Sequence, residues 1–174
     1  EETLQITQLF EFGDKRLKRL RVANFDTALA GWEYEVARMR AITNGASLFV
    51  DVLASQERIG VLQKAVSVSE KIEKAVETRV KSGGTSPVET DRAKVNSARA
   101  RAALKGEKER HKAAKIRLAT SWGANSLDFD HVTGTLNNGG RVPSLDRVEA
   151  YIAGNPLVTR WSDEIGRRSA MLDV

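Results

Sequence analysis

The chain has 174 residues, enough for one ordinary domain, and it contains no cysteine, which excludes disulfides and thiol chemistry. Aromatic residues make up only 6% and charged residues 29%, a balance typical of long helices that share a narrow seam. The net charge is +5, but acidic and basic residues are interleaved, which favours a solvated helix surface over a nucleic-acid-binding patch. No apolar run reaches the roughly 20 residues of a membrane-spanning helix.

The first segment, residues 3–12, predicts a β-strand. Its apolar positions of one parity are Leu4, Ile6, Phe10 and Phe12. A single strand has no neighbour to pair with, so we expect it to be unstructured in isolation or to pair between chains. Gly13 ends the segment, and Asp14 can cap a helix.

A long helix is predicted from Asp14 to about Lys81, because this stretch has no proline and its apolar residues recur every three or four positions. The first series is Val22, Phe25, Leu29, Trp32, Val36 and Met39, and the second is Val61, Ala65, Val68, Ile72 and Ala75. The rhythm weakens near Asn44-Gly45, a dipeptide typical of turns, so a break at this point is a real alternative to one continuous helix.

A compact turn signal follows the long helix and predicts the tip of an antiparallel helical hairpin, over residues 82–86. Gly83 and Gly84 can adopt the positive φ angles that close a helix. Ser86 can cap the next helix, and Pro87 suits its first position, where a missing N–H is not needed.

The return helix is predicted from Pro87 to about Ser121. Glu89 lies three residues after Ser86, which is the spacing of a capping box. The apolar positions of this helix are Val95, Ala98, Ala102, Ile116 and Ala119. The return helix has about half the length of the outgoing one, so part of the long helix must pack against other elements or other chains.

The remainder of the chain predicts a loop over residues 123–143, a short helix over 145–153 capped by Ser144, and a last helix from Pro156 toward Val174. The apolar sides of these two helices are Leu145, Val148 and Ile152, then Leu157, Trp161, Ile165 and Leu172. The predicted fold is therefore all-α: a long, coiled-coil-like antiparallel hairpin with short C-terminal helices and a remnant β-strand at the N-terminus.

The pattern of polar residues argues against an enzyme. His111 has no ligand partner three or four residues away, and His131 beside Asp128 and Asp130 is more typical of a polar loop than of a metal site. No phosphate-binding loop and no nucleophile with a base is present. We therefore predict no catalytic residue, no metal site and no cofactor.

One basic cluster stands out at residues 15–21, Lys-Arg-Leu-Lys-Arg-Leu-Arg. It is typical of a helix start near an interface, and a basic amphipathic segment is also attracted to anionic headgroups or phosphate. Two further function hypotheses follow from the residues alone. One is a coiled-coil scaffold that binds partner helices without a transport role, and the other is a nucleic-acid or membrane-surface binder acting through residues 15–21.

Four motifs resemble the TolC-like outer membrane efflux proteins, and their order and spacing also agree with that family. They are Gly13-Asp14-Lys15-Arg16 after Phe10-Glu11-Phe12, the segment 47–58, the tip Arg79-x-x-x-Gly83-x-x-Ser86-Pro87 with Glu89 and Arg92-Ala93, and Asn155-Pro156-Leu157. The junction and the tip are most similar to the heavy-metal efflux branch. The sequence departs from that branch at Asp14, where a second glycine is more common.

The resemblance implies that residues 1–12 end a membrane β-strand, that 13–122 form a periplasmic hairpin, and that 123–174 form a loop, a short helix and the start of a second repeat. It implies a homotrimer in the full-length protein and no nucleic-acid partner. A periplasmic adaptor, also called a membrane fusion protein, would link the duct to an inner membrane resistance-nodulation-division pump. The exported substrates would be heavy-metal cations.

The resemblance also implies which residues act at the hairpin tip. The predicted adaptor-docking residues are Arg79, Val80, Gly83, Gly84, Thr85, Ser86 and Pro87. Glu89 and Asp91, one turn into the return helix, would contribute to a charged ring at the tunnel mouth. Because half of the tunnel wall would be missing, we expect this segment not to form a stable trimer by itself.

Overall fold

The computed structural model describes residues 3–6, 14–136, 140 and 142–173. The helices within these ranges are α1 (Lys15–Lys81), α2 (Pro87–Thr120), α3 (Leu145–Ala153) and α4 (Pro156–Leu172). The predicted all-α fold is confirmed. The observed helix ends agree closely with the predicted ones, because the proline and glycine signals mark them directly.

Within the described residues 3–6, the predicted N-terminal strand is not observed. Residues 3–6 have no regular secondary structure, and residues 7–12 lie outside the described residues. Asp14 has a φ of 56°, in the left-handed region that glycine occupies without strain. It therefore lacks the extended backbone of a usual N-cap.

The helix α1 contains 67 residues and continues through Asn44 and Gly45, so the alternative of a break there is wrong. A glycine inside a helix costs only about 1 kcal/mol, which the packing of neighbouring turns outweighs. The chain forms two compact units that divide within this helix. One unit contains α1 up to Arg40 with α3 and α4, and the other extends from Ala41 to Gly140.

In the first unit, α4 packs against the early part of α1. The indole Nε1 of Trp32 donates a hydrogen bond of 2.7 Å to Asp163, and Arg167 pairs with Asp26. Gly166 lies so close to Phe25 that a Cβ atom there would be 2.6 Å from the ring. A glycine is needed at this crossing because any larger residue would force the helices apart.

The seam predicted for this part of α1 is largely confirmed, whereas the apolar side of α4 is not buried. On α1, Leu29 and Val36 are buried. On α4, the apolar residues Leu157, Trp161, Ile165 and Leu172 are all exposed. The helix instead contacts α1 through small and charged residues, so its most apolar side has no partner among the described residues.

In the second unit, α1 and α2 form the predicted antiparallel hairpin, but most of the predicted seam residues are wrong. At three-and-four spacing, the buried and half-buried positions of α1 are Val52, Ser55, Ile59, Leu62, Val66, Ser69, Glu73, Val76 and Val80, and those of α2 are Ala93, Ser97, Ala100, Leu104, Glu107, His111, Ala114 and Leu118. These positions follow the three-and-four spacing of a coiled coil without interruption. The predicted positions Val61, Val68 and Ile72 are 66%, 55% and 54% exposed.

A buried carboxylate lies at the centre of this seam. Glu107 is only 3% exposed, and its two oxygens accept hydrogen bonds of 2.8 Å from Arg58 of α1 and Arg110 of α2. The side chains of both arginines are exposed, so the two ion pairs with Glu107 remain in contact with solvent. The hydrogen bond from Arg58 is the largest effect that lowers the pKa of Glu107, and burial opposes it.

Two further polar contacts cross the seam. Arg101 donates to Ser97, which is fully buried, at 2.8 Å and to Glu70 of α1 at 3.2 Å. The Ser55 hydroxyl lies 2.8 Å from both the Val52 carbonyl and Nδ1 of His111. A hydroxyl has one proton, so donation to the carbonyl means that the His111 Nδ1–H is the donor in the second bond.

The end of the hairpin away from the tip is closed by an apolar cluster and the segment that follows α2. The cluster contains Val52, Leu53, Ala114, Leu118 and Val132, with Leu48, Phe49 and Phe129 packed on it. The Gln56 side chain binds both backbone groups of Val132, at 3.1 and 3.2 Å. These contacts fix the segment over the helices and complete the second unit.

Candidate functional site

The hairpin tip is closed by backbone hydrogen bonds. The N–H of Gly84 donates to the Arg79 carbonyl at 2.8 Å, and the N–H of Gly83 donates to the Val80 carbonyl at 3.0 Å. This pair of bonds is a Schellman motif, and it requires a left-handed residue at Gly83, where φ is 75°. Gly84 does not have a positive φ, so the predicted need for glycine is confirmed at one of the two positions.

The start of α2 also follows the predicted chemistry, with one difference. Ser86 has an extended backbone and its hydroxyl accepts a hydrogen bond from the N–H of Val88 at 3.4 Å, while Pro87 occupies the first turn. The capping-box role of Glu89 is replaced by an ion pair, since its carboxylate accepts from Arg92 at 2.7 Å. A long arginine three residues ahead reaches the carboxylate easily along the helix surface.

The structure brings the predicted tip residues together at one end of the hairpin. Arg79, Gly83, Gly84, Ser86 and Pro87 are exposed, and Val80 and Thr85 are half-buried. Most side chains of this tip surface are small. The loop backbone lies at the protein surface, so its N–H and carbonyl groups are accessible. It can therefore contact another tip closely through backbone and small side chains.

The two acidic residues predicted for a tunnel mouth have different surroundings. Glu89 is held by Arg92, whereas Asp91 is exposed on the opposite side of α2. Asp91 borders an open groove of about 490 Å³, whose lining residues are Val88, Asp91, Arg92, Val95, Asn96 and Arg99. Valines and charges alternate along this groove, which starts at the tip and follows α2.

Each helix of the hairpin carries a second apolar line that points away from the seam. On α1 it contains Val61, Ala65, Val68 and Ile72, and on α2 the exposed residues include Val88 and Val95. The sequence analysis identified these apolar residues but placed them in the seam between α1 and α2. A helix with two apolar lines is suited to two neighbours, and the described residues supply only one of them.

The described residues offer no site for a metal ion, since they contain no group of three metal-ligating side chains. The surroundings of His111 favour a structural role, because its Nδ1 is bound to Ser55 across the seam. His131 is exposed and borders an apolar groove of about 500 Å³ beside Trp122 and Phe129. Among the described helices, none is both long enough and apolar enough to cross a membrane.

The fold and the tip define a class of protein. Residues 2–124 match the model of the outer membrane efflux protein family, and the chain belongs to this family. It is thus a segment of an outer membrane protein, and its helices lie in the periplasm. This family is a transport family and not a class of enzymes. No solved structure matches the chain.

A curated relative agrees with the resemblance to the heavy-metal branch. The chain is 27% identical over 172 residues to the cobalt-zinc-cadmium resistance protein CzcC of Cupriavidus metallidurans. The match covers 99% of this chain and 41% of that protein. The chain therefore spans less than half the length of the relative.

Proposed function

We propose that residues 13–122, with α1 and α2 as the two arms, are the periplasmic hairpin of an outer membrane efflux duct and that the hairpin tip docks a periplasmic adaptor. The docking residues are Arg79, Val80, Gly83, Gly84, Thr85, Ser86 and Pro87. The observation that carries the proposal is the tip itself, which is closed by its own backbone bonds and leaves these residues available to a partner. The chain acts passively, as a wall and a docking end, and an inner membrane pump supplies the energy.

The exposed apolar lines support a duct built from several copies. Val61, Val68 and Ile72 lie on a continuous face of α1, and burying the exposed half of each side chain contributes about 1 kcal/mol. Neighbouring helices of a homotrimer in the full-length protein would cover this face. Asp91 would then stand near the tunnel mouth, and Glu89 would contribute there only together with Arg92.

The proposed substrates are heavy-metal cations, because the curated relative is named a cobalt-zinc-cadmium resistance protein. The described residues contain no group of three or more side chains that could hold a metal ion. We propose no catalytic role and no cofactor.

Site-specific crosslinking tests this proposal. The chain has no cysteine, so Ser82→Cys places a single thiol on the exposed tip and Lys108→Cys places one on the exposed side of α2 as a control. Each variant would be expressed as full-length protein with candidate periplasmic adaptors. We expect strong crosslinks from Ser82→Cys to one adaptor and weak ones from Lys108→Cys.

Equal or absent crosslinks at the two positions would contradict adaptor docking. The chain would then be better described as a coiled-coil scaffold for partner helices, which needs no tip contact. Both variants leave the seam unchanged, since neither residue is buried. Loss of the fold is therefore not an alternative explanation of a negative result.

A further inference from the structure

The helix α2 carries an excess of positive charge. Its 34 residues contain ten basic and four acidic side chains, a net charge of +6, whereas the other 140 residues contain 18 basic and 19 acidic side chains. Two of the four acidic groups of α2, Glu89 and Glu107, are held in ion pairs with Arg92 and Arg110. A helix surface with such an excess of cations attracts anions.

Many of these cations lie along one flank of the hairpin. At three-and-four spacing they are Arg101, Lys105, Lys108, Lys112 and Lys115. Arg101 pairs with Glu70 of α1 at 3.2 Å, so this flank of α2 lies beside the line of α1 that contains Glu70. In an antiparallel hairpin, a step of seven residues forward on α2 corresponds to a step of seven backward on α1.

The acidic partners on this line of α1 end at Glu70. Its next positions away from the tip are Gln63 and Gln56, which carry no charge. The only exposed carboxylate nearby on α2 is Glu109, and it makes no ion pair within the described part of the chain. The lysine line, as we call the exposed cations left without an acidic partner among the described residues of this flank, consists of Lys105, Lys108 and Lys112.

An aromatic groove continues this flank beyond the lysine line. Lys115, one turn after Lys112, donates to the Asp130 carbonyl, and its Nζ lies 6.0 Å from the centre of the Phe129 ring. The indole of Trp122 packs on the same ring, with 6.1 Å between the ring centres, and Trp122 remains 59% exposed. These rings border the open groove of about 500 Å³, so cations and an accessible aromatic surface follow one another along the hairpin.

We propose that the lysine line, together with Trp122 and Phe129, binds peptidoglycan, the periplasmic glycan whose stem peptides carry carboxylates. The carboxylates pair with the lysine Nζ atoms, whose flexible stems adapt to an irregular polymer. The apolar C–H face of a sugar ring rests on the exposed indole, since an aromatic ring offers a large rigid surface. The helices of this family lie in the periplasm, where this polymer is also located.

The flank is less suited to an acidic protein helix. Protein interfaces are anchored by large apolar or aromatic side chains near their centre. Beside the lysine line, the positions of α1 at three-and-four spacing are Gly60, Gln63 and Ser67, and none of them has a large apolar side chain. A hydrated glycan with charged and amide groups needs only ion pairs and hydrogen bonds there.

Cosedimentation with purified peptidoglycan sacculi tests the proposal. The chain should sediment with the sacculi at low salt and be released as the salt concentration rises, because salt screens exposed charges. The triple variant Lys105→Gln, Lys108→Gln, Lys112→Gln should bind about tenfold more weakly, since each exposed ion pair contributes a factor of roughly two. Trp122→Ala should also weaken binding, although it leaves the charge unchanged.

A charge-matched control separates this flank from general attraction. Lys64→Gln, Lys71→Gln and Arg99→Gln remove three exposed charges from other sides of the same hairpin, and this variant should bind like the original chain. An equal loss in both triple variants, or undiminished binding by Trp122→Ala, would overturn the proposal. Circular dichroism checks that these exposed substitutions keep the helices.

Altered ligands identify the chemical group that is recognised. Sacculi whose carboxylates have been converted to amides should not bind the chain, and equal binding would contradict the proposal. Polyglutamate represents an acidic protein surface, and lipopolysaccharide represents a phosphorylated glycan. If either bound more tightly than the sacculi and lost its affinity in the lysine variant, the flank would belong to that ligand and the proposal would be wrong.

This proposal does not depend on adaptor docking. The crosslinking experiment concerns the tip at Ser82, whereas the lysine line and Trp122 lie toward the other end of α2. Absent crosslinks at the tip would therefore leave the peptidoglycan proposal intact, and absent binding to sacculi would leave adaptor docking intact.

Discussion

At the scale of single residues, the two adjacent glycines of the tip differ in backbone conformation. Gly83 has a φ of 75°, and a side chain there would strain the backbone although the space around it is open. Gly84 has an ordinary φ, and a Cβ atom would lie 3.4 Å from the Arg79 carbonyl oxygen, which is near normal contact. We expect Gly83→Ala to lower the free energy of unfolding by about 1 kcal/mol.

Gly84→Ala is the matched control for this prediction and should change stability much less. Urea unfolding followed by circular dichroism would compare the two variants with the original chain. Equal losses at both positions would mean that crowding, and not the left-handed backbone, makes glycine necessary at the tip.

At the scale of the helices, the polar seam predicts how stability depends on pH. Burial is the largest effect that lowers the pKa of His111, with the charge of Lys115 adding to it and Glu107 opposing it. The pKa of Glu107 is also lowered. Both groups therefore bind fewer protons in the folded chain than in the unfolded chain, so stability present at neutral pH is lost as the pH falls.

The loss should occur in two steps, the first below about pH 6.5, where an ordinary histidine takes up a proton, and the second below about 4.5. Thermal unfolding measured across this range would show both. His111→Asn keeps a donor for Ser55 but cannot titrate, so it should remove the first step and retain the second. If the first step persisted in His111→Asn, another group would be responsible for it.

The helices also show how far the sequence alone could predict this structure. Turn and cap signals located the tip and every helix in the described part of the chain, because they act locally. Apolar periodicity did not predict which line of α1 residues packs against α2. Val61 and Ile72 are exposed on α1, whereas its buried and half-buried line contains Leu62 together with the polar residues Ser55 and Glu73.

The seam of α2 contains polar residues that the sequence analysis did not include. Its positions step by three and four without interruption from Ala93 to Leu118, although Ser97, Glu107 and His111 are polar. Hydrogen bonds from the opposite helix make these polar positions acceptable in a seam, and such bonds become visible only when both helices are in place. The seam of α2 therefore could not be distinguished from its exposed apolar positions by the sequence alone.

At the scale of the whole molecule, the exposed apolar lines of α1 and α2 predict that this chain and the full-length protein differ in oligomeric state. The chain spans 41% of its curated relative, so it supplies only part of the helices that a closed duct needs. We expect it to form no stable trimer at micromolar concentration. Sedimentation velocity would check this, and a tight trimer would show that the exposed lines of α1 and α2 suffice for assembly.

The Glu107 contact also constrains how the two arms of the hairpin can move. A coiled coil can slip lengthwise only by whole heptads. Seven residues from Arg58 lie Asp51 in one direction and Ala65 in the other, so a slip would place the buried carboxylate opposite an acid or a methyl group. Neither register offers Glu107 a cation on α1 at the position of Arg58, so a slip would leave the carboxylate only Arg110 of its own helix. We therefore expect a pull applied at the tip to pass along both arms of the hairpin together, without sliding between them.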